Sequence, residues 1–102
     1  MVKRGEVYWV YLDPAKGSEI KKTRPGLVVS PDDMNKILPR IIVAPLTSKG
    51  QPLGCRPPVR FKGKDALILL DQLRAVDKQR LGEKMGTIPL EKWHDQIIEM
   101  FL

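Results

Sequence analysis

A chain of 102 residues suffices for one domain and hardly for two, so residues 1–102 are expected to fold as a single domain. Its 42% hydrophobic and 29% charged residues are those of an ordinary soluble globular protein. No apolar run approaches a membrane span, and the amino terminus MVKRGEVYWV lacks the apolar core of a secretory leader, so no membrane contact and a cytoplasmic address are expected. The single cysteine, Cys55, cannot close an internal disulfide. With one histidine beside it, it cannot form a zinc site without several carboxylates or a partner chain, and no metal or cofactor is expected. The net charge of +6 is uneven: residues 1–64 carry thirteen Lys or Arg against five Asp or Glu, residues 65–102 five against seven. A basic amino-terminal two-thirds suits a polyanion, although many soluble domains are equally basic for no special reason.

Glu6–Leu12, EVYWVYL, is dense in β-branched and aromatic residues, is followed by Asp13-Pro14, and reads as a strand. Apolar residues on both of its faces predict burial on both sides. The stretch 13–30, DPAKGSEIKKTRPGLVVS, follows. Its polar part, with Lys16, Ser18, Glu19, Lys21, Lys22, Thr23 and Arg24, predicts a long loop of the kind that usually binds something. Pro25–Ser30 is the second predicted strand, with proline at its first position. Ser30-Pro31-Asp32-Asp33 has the form of a helix start, with Ser30 as N-cap and Pro31 at the first helical position, and the helix ends near Ile37.

Arg40–Leu46 is the third predicted strand, and TSKGQPLG, 47–54, a polar loop. Cys55–Phe61 is a fourth strand, open along one side at Pro57-Pro58. After a turn at Lys62-Gly63-Lys64, the wholly apolar Ala66–Leu70 reads as the central buried strand, a helix being the competing assignment. Asp77 can cap one helical turn, 78–80, ended by Gly82, and Lys84–Ile88 is a last short strand. Pro89–Leu102 reads as an amphipathic helix with Leu90, Trp93, Ile97, Ile98 and Phe101 on one stripe. The fold class is therefore mainly β with helices (α+β): a small antiparallel barrel or strongly bent sheet carrying a carboxy-terminal amphipathic helix.

Several polar positions stand at strand boundaries: Glu19 and Arg24 in the first loop, Thr47 at the end of the third strand, Asp71-Gln72 at the end of the fifth. Strand ends on one side of a barrel can converge, and this grouping fits phosphodiester chemistry in RNA. A guanidinium such as Arg24 matches a phosphate bidentately, and a hydroxyl such as that of Thr47 can donate to a non-bridging oxygen. The cations Lys49, Arg56, Arg60, Lys62 and Lys64 cluster around one loop and hairpin as a phosphate track or as solubility charges.

With these residues in hand, the chain resembles the MazF/PemK/Kid family of toxin endoribonucleases. The matching blocks are RGEVYWVYLDP (4–14), GSE (17–19), RPGLVVSP (24–31), IIVAPLT (41–47) and LILLDQLRAVDKQRLGEKMG (67–86). The resemblance implies an SH3-like barrel and a homodimer. It implies metal-independent, sequence-selective cleavage of single-stranded RNA such as mRNA to 2′,3′-cyclic phosphate and 5′-hydroxyl ends, inhibiting translation and growth. It also implies an antitoxin whose carboxy-terminal segment covers the RNA-binding surface. Carried over, Arg24, Thr47 and Glu19 are the catalytic candidates, and Ser18, Gln72, Lys16, Lys49 and Arg56 the substrate-binding ones. Some relatives carry a histidine in the first loop and an arginine just before the Asp-Gln pair; here Ser18 and Leu69 or Leu70 stand there, which argues against a histidine-based acid–base mechanism.

Taken singly, Arg24 also reads as a solvated loop charge, Thr47 as a strand-end cap and Glu19 as a surface partner of Lys21 or Lys22. Asp71 is open between structure and site. Trp9 and Trp93 read as core or dimer contacts rather than base-stacking platforms, and His94 as a helix-edge residue. The 47–54 loop and the first loop are expected to set base preference. The competing class is a non-catalytic small basic barrel that binds RNA or an acidic antitoxin peptide, with an inactivated toxin as a third possibility.

Overall fold

The computed structural model describes residues 1–11 and 23–102. Its strands are β1 (Glu6–Tyr11), β2 (Thr23–Val28), β3 (Arg40–Thr47), β4 (Pro58–Phe61), β5 (Lys64–Ile68), β6 (Arg74–Asp77) and β7 (Leu81–Thr87). Its helices are α1 (Asp32–Ile37) and α2 (His94–Phe101). The strands run in the order β4-β5-β3-β2-β1-β7, with β6 also on β3, and every described pairing is antiparallel. The result is a curled half-barrel with a carboxy-terminal helix, as its residue pattern predicts.

The hub is β3, where the sequence reading put the apolar run 66–70. Three strands share its eight residues: β6 along Arg40–Val43, β2 along Val43–Pro45, and β5 along Leu46–Thr47. Its alternation divides the core. Ala44 and Leu46 join Val7, Leu27, Val29, Ile68, Leu70 and Trp93 in one buried cluster, while Ile41 and Val43 join Val10, Val28 and Val76 in a second. A strand with buried residues on both faces must read as nearly continuously apolar, as IIVAPL does. The run 66–70 is divided instead: β5 ends at Ile68, and a 3-10 turn, Leu70–Gln72, redirects the chain into β6.

Local chemistry explains other departures. The α1 N-cap is Pro31, without a side-chain cap bond, not Ser30. The Ser30 hydroxyl is buried and used elsewhere: it donates to Asn35 Oδ1 at 2.5 Å and accepts the Ile42 amide at 3.0 Å, while Asn35 Nδ2 donates to the Ser30 carbonyl at 2.9 Å. Buried polar groups need such partners, and these pin α1 to β3. The Asp77 cap forms as expected, its carboxylate accepting the Gln79 amide at 2.9 Å. The carboxy-terminal helix is shorter than 89–102, preceded by a 3-10 turn at Leu90–Lys92. Of its stripe, Trp93 is buried and Ile97 packs on the first core cluster, but Leu90, Ile98 and Phe101 are exposed. Both faces of β1 are likewise not covered throughout: Val7 and Val10 are buried, Trp9 and Tyr11 exposed.

Candidate active site

Arg24 lies inside β2, not in the preceding loop, because β2 begins at Thr23 and Arg24 pairs with Val10 of β1. On its other edge β2 pairs with β3 only from Gly26, which faces Pro45. Two prolines, Pro45 in that pair and Pro25 just beyond it, stand where amide donors would be needed, and prolines in sheets sit where a ladder stops. β3 then turns to β5, pairing Leu46 with Ile68 and Thr47 with Leu67, and the Pro45 carbonyl accepts the Leu69 amide at 2.8 Å. The β2–β3 register, continued two residues past its last pair, would set Arg24 opposite Thr47. The strands part there instead, and the gap is a cleft.

That cleft has a volume of about 800 Å³ and is lined by Arg24, Pro45, Thr47, Lys49, Arg56, Leu69, Gln72, Arg74 and Ala75. Sequence reasoning named Arg24, Thr47, Lys49, Arg56 and Gln72 as site residues, and the fold brings these five together. Glu19, Ser18 and Lys16 lie outside the described residues. Between the two leucines considered in place of a relative's arginine, Leu69 lines the cleft, whereas Leu70 is wholly buried in the core.

Two groups form the polar floor and wall. The Thr47 hydroxyl oxygen accepts the Lys49 amide at 3.2 Å, which leaves its own hydrogen free to donate into the cleft. Arg56 binds Asp71 as a fork, Nε to Oδ1 at 2.9 Å and an η-nitrogen to Oδ2 at 2.7 Å. The hydrogen bond from Arg56 holds the Asp71 carboxyl below its ordinary value against the opposing effect of burial, and the same bond raises Arg56. The pair joins the segment before β4 to the 3-10 turn carrying Gln72, a join reinforced by the Leu70 amide donating to the Cys55 carbonyl at 3.1 Å. Asp71, open between two roles in sequence, is thus a tether, and the Arg56 charge is already answered within the protein.

Arg24, Lys49, Gln72 and Arg74, by contrast, have no side-chain hydrogen bond or ion pair among the described residues. Arg74 was missed in the sequence. It follows Gln72 by two residues, beyond the strand read at Ala66–Leu70, in a stretch to which the sequence reading gave no element. The 3-10 turn brings it round to the cleft. Three cations uncompensated among the described residues, a hydroxyl and an amide around an open cleft can hold a phosphodiester and stabilise added negative charge on it. Among the described residues no three His, Cys, Asp or Glu side chains gather as a metal-ligand group.

The chain matches, over residues 3–96, the family model for the PemK-like, MazF-like toxin of type II toxin–antitoxin systems. It is 41% identical to endoribonuclease EndoA of Bacillus subtilis (strain 168), over 83% of this chain and 78% of that protein. Its fold resembles MazF of Deinococcus radiodurans with a TM-score of 0.74 at 23% identity, covering 97% of this chain and 94% of the other. It also resembles a MazE–MazF structure from the same organism with a TM-score of 0.76 at 22% identity, covering 97% and 92%. With 94 of its residues spanned by one model and a relative this similar along most of its length, the chain belongs to the PemK-like, MazF-like family of type II toxin–antitoxin toxins.

Proposed function

We propose that this protein is the toxin of a type II toxin–antitoxin system and an endoribonuclease that cuts single-stranded RNA, messenger RNA included, at the Arg24–Thr47 cleft. The observation that carries this reading is the cleft itself: two strands that part at Gly26 and Pro45 present an arginine without a side-chain partner among the described residues and a threonine hydroxyl that only accepts there, in a chain closely related to an endoribonuclease. In the reaction the ribose 2′-oxygen attacks the adjacent phosphorus, its proton passes to a base, and the bond to the 5′-oxygen breaks as that oxygen takes up a proton. The products are a 2′,3′-cyclic phosphate and a 5′-hydroxyl, and the chemistry requires no metal or cofactor. Arg24 binds the phosphorane and offsets its growing charge. Thr47 donates to a non-bridging oxygen. Glu19 is the candidate base. Gln72, Lys49, Ser18 and Lys16 hold the strand, and Arg56 acts at the cleft wall through Asp71.

The toxin works in the cytoplasm as one domain over residues 1–102, and cutting messages there inhibits translation and growth. Two further features follow from the family and from exposed apolar residues such as Ile98 and Phe101: assembly as a homodimer, and inhibition by an antitoxin seated across the RNA-binding surface. The relatives include MazE–MazF structures and an endoribonuclease in complex with its cognate antitoxin.

The test is to incubate the purified protein and an Arg24→Ala variant with a long unstructured RNA in EDTA and map the cuts and their ends. Cuts at one short sequence with cyclic-phosphate ends, lost in the variant, are expected. Tight RNA binding with no cut from either protein would leave a non-catalytic barrel and return Arg24 and Thr47 to structural roles.

A further inference from the structure

Beside the cleft runs a second groove of about 510 Å³ that shares Arg24, Thr47 and Lys49 with it. Its apolar walls are Trp9, Pro25, Phe61 and Met85, and its rim carries Lys62 and Lys64. Trp9, read in sequence as a core or interface residue, is 37% exposed here, whereas Trp93 is 2% exposed.

Three backbone features build this groove. The β1–β7 pairing jumps from Val7↔Gly86 to Tyr8↔Lys84, so Met85 is an extra residue of β7, and such a bulge re-aims a side chain. Gly86 lies under the Phe61 ring: a Cβ there would sit 3.2 Å from a ring carbon. Lys62 and Gly63, with φ of 52° and 77°, form the two-residue turn joining β4 to β5, which fixes both lysines at the rim. Of the acidic groups, Asp65 lines the groove, and it is held by Arg60 at 3.0 Å.

We propose that this groove is a base-binding subsite. One unpaired nucleobase next to the scissile phosphate lies against Trp9 and Phe61, its backbone follows Lys62 and Lys64, and its fit sets base preference beside the cut. The proposal rests on the endoribonuclease reading and adds to it a recognition site outside the loops. Aromatic surface interleaved with cations, continuous with a phosphate-holding cleft, is what a single-stranded nucleic acid requires. Bases stack on rings regardless of sequence, while size and edge polarity of the groove discriminate among them. A neutral apolar peptide would gain nothing from four cations, Arg24, Lys49, Lys62 and Lys64, around one opening.

The test uses Trp9→Ala, Trp9→Phe and a Lys62→Gln/Lys64→Gln double variant. The probes are the long RNA, mapped for cuts, and 2′-O-methyl RNA hexamers that vary one base at a time. Trp9→Ala should weaken hexamer binding and raise KM by roughly tenfold to a hundredfold, leave kcat within a few-fold, and flatten the preference at one position beside the cut. Trp9→Phe should restore most of this. The lysine pair should lower the salt slope of log affinity by about 1.4, at roughly 0.7 per phosphate contact.

Unchanged KM and base preference in a folded Trp9→Ala protein would overturn the proposal. So would normal RNA kinetics combined with lost inhibition by an acidic peptide, which would make the groove a protein-docking surface. Should Trp9→Ala not fold, Trp9→Phe and the lysine pair decide: an unaltered salt slope together with an unaltered base preference overturns it. A wild-type protein that binds hexamers through Trp9 yet never cuts would remove the catalytic reading and keep the subsite.

Discussion

The Glu6 corner and the Arg24 cleft lie at opposite ends of the β1–β2 ladder and use their polar groups in opposite ways. At the corner, Glu6 is 8% exposed and its carboxylate accepts the Lys3 amide at 2.7 Å and the Tyr8 hydroxyl at 2.9 Å, and pairs with Lys84 at 2.7 Å. Burial pushes the Glu6 carboxyl up, but the bonds from Lys84, Lys3 and Tyr8 together outweigh it and leave it below its ordinary value. At the cleft, the cations and the amide have no answering group among the described residues. The corner uses its polar groups on the fold, and the cleft leaves Arg24, Lys49, Gln72 and Arg74 unanswered among the described residues. Arg56 and Asp71 stand between: they line or adjoin the cleft, yet answer each other.

This contrast predicts that activity and stability separate by region. Arg24→Ala should slow single-turnover cleavage by about a thousandfold and Thr47→Ala by about a hundredfold, the range for losing a donor aimed at developing charge. Neither should move the denaturant midpoint much: Arg24 has no side-chain partner among the described residues, Thr47 gives up one exposed bond from the Lys49 amide, and such surface changes usually fall within about 0.5 kcal/mol. Disrupting the tether by Asp71→Asn should slow cleavage about tenfold by loosening Gln72 and the segment before β4, with RNA end products unchanged. Glu6→Gln should do the reverse. It should cost about 1–2 kcal/mol of stability in urea melts and leave the rate per folded molecule intact. A Glu6 variant that is as stable as wild type but inactive would break the comparison.

The smallest expected effect is in pH. The lowered Glu6 carboxyl adds stability above its unfolded value near 4.5, and this is lost as pH falls through the folded value below that. Tyr8 behaves oppositely at the alkaline end. Burial and then the Glu6 carboxylate push its phenol from 10.0 up to about 12, so its contribution is whole below pH 10 and declines between those values as only the unfolded chain ionises. Thermal melts across pH should show both shoulders, and Tyr8→Phe should erase the alkaline one.

The strands were legible wherever β-branched residues alternated or ran together, as in EVYWVY and RIIVAPL, because burial on one or both faces dictates those patterns. What the pattern could not carry was where ladders end. Arg24 read as a loop residue because proline follows it; in the fold, β1 alone pairs that part of β2, so proline is tolerated inside the strand. Leu69 and Leu70 read as one strand with Ile68, but the turn at Leu70–Gln72 depends on tertiary anchors, the carbonyls of Pro45 and Cys55, that no local window contains. The same turn hid Arg74. Ser30 looked like a helix cap because serine before Pro-Asp-Asp usually is one; a buried asparagine competed for its hydroxyl. Of the two places the sequence offered for Trp9, core or dimer contact, its 37% exposure excludes the core, although an aromatic in an apolar strand is ordinarily covered.

The most direct test of the central claim is the separation of rate from affinity at Arg24. Single-turnover cleavage of a mapped RNA, with binding measured on its 2′-O-methyl counterpart, should show Arg24→Ala losing about three orders of magnitude in rate and only a few-fold in affinity. Equal losses in both would contradict the account, leaving Arg24 as a uniform binding contact and the cleft as a site that holds RNA without acting on it.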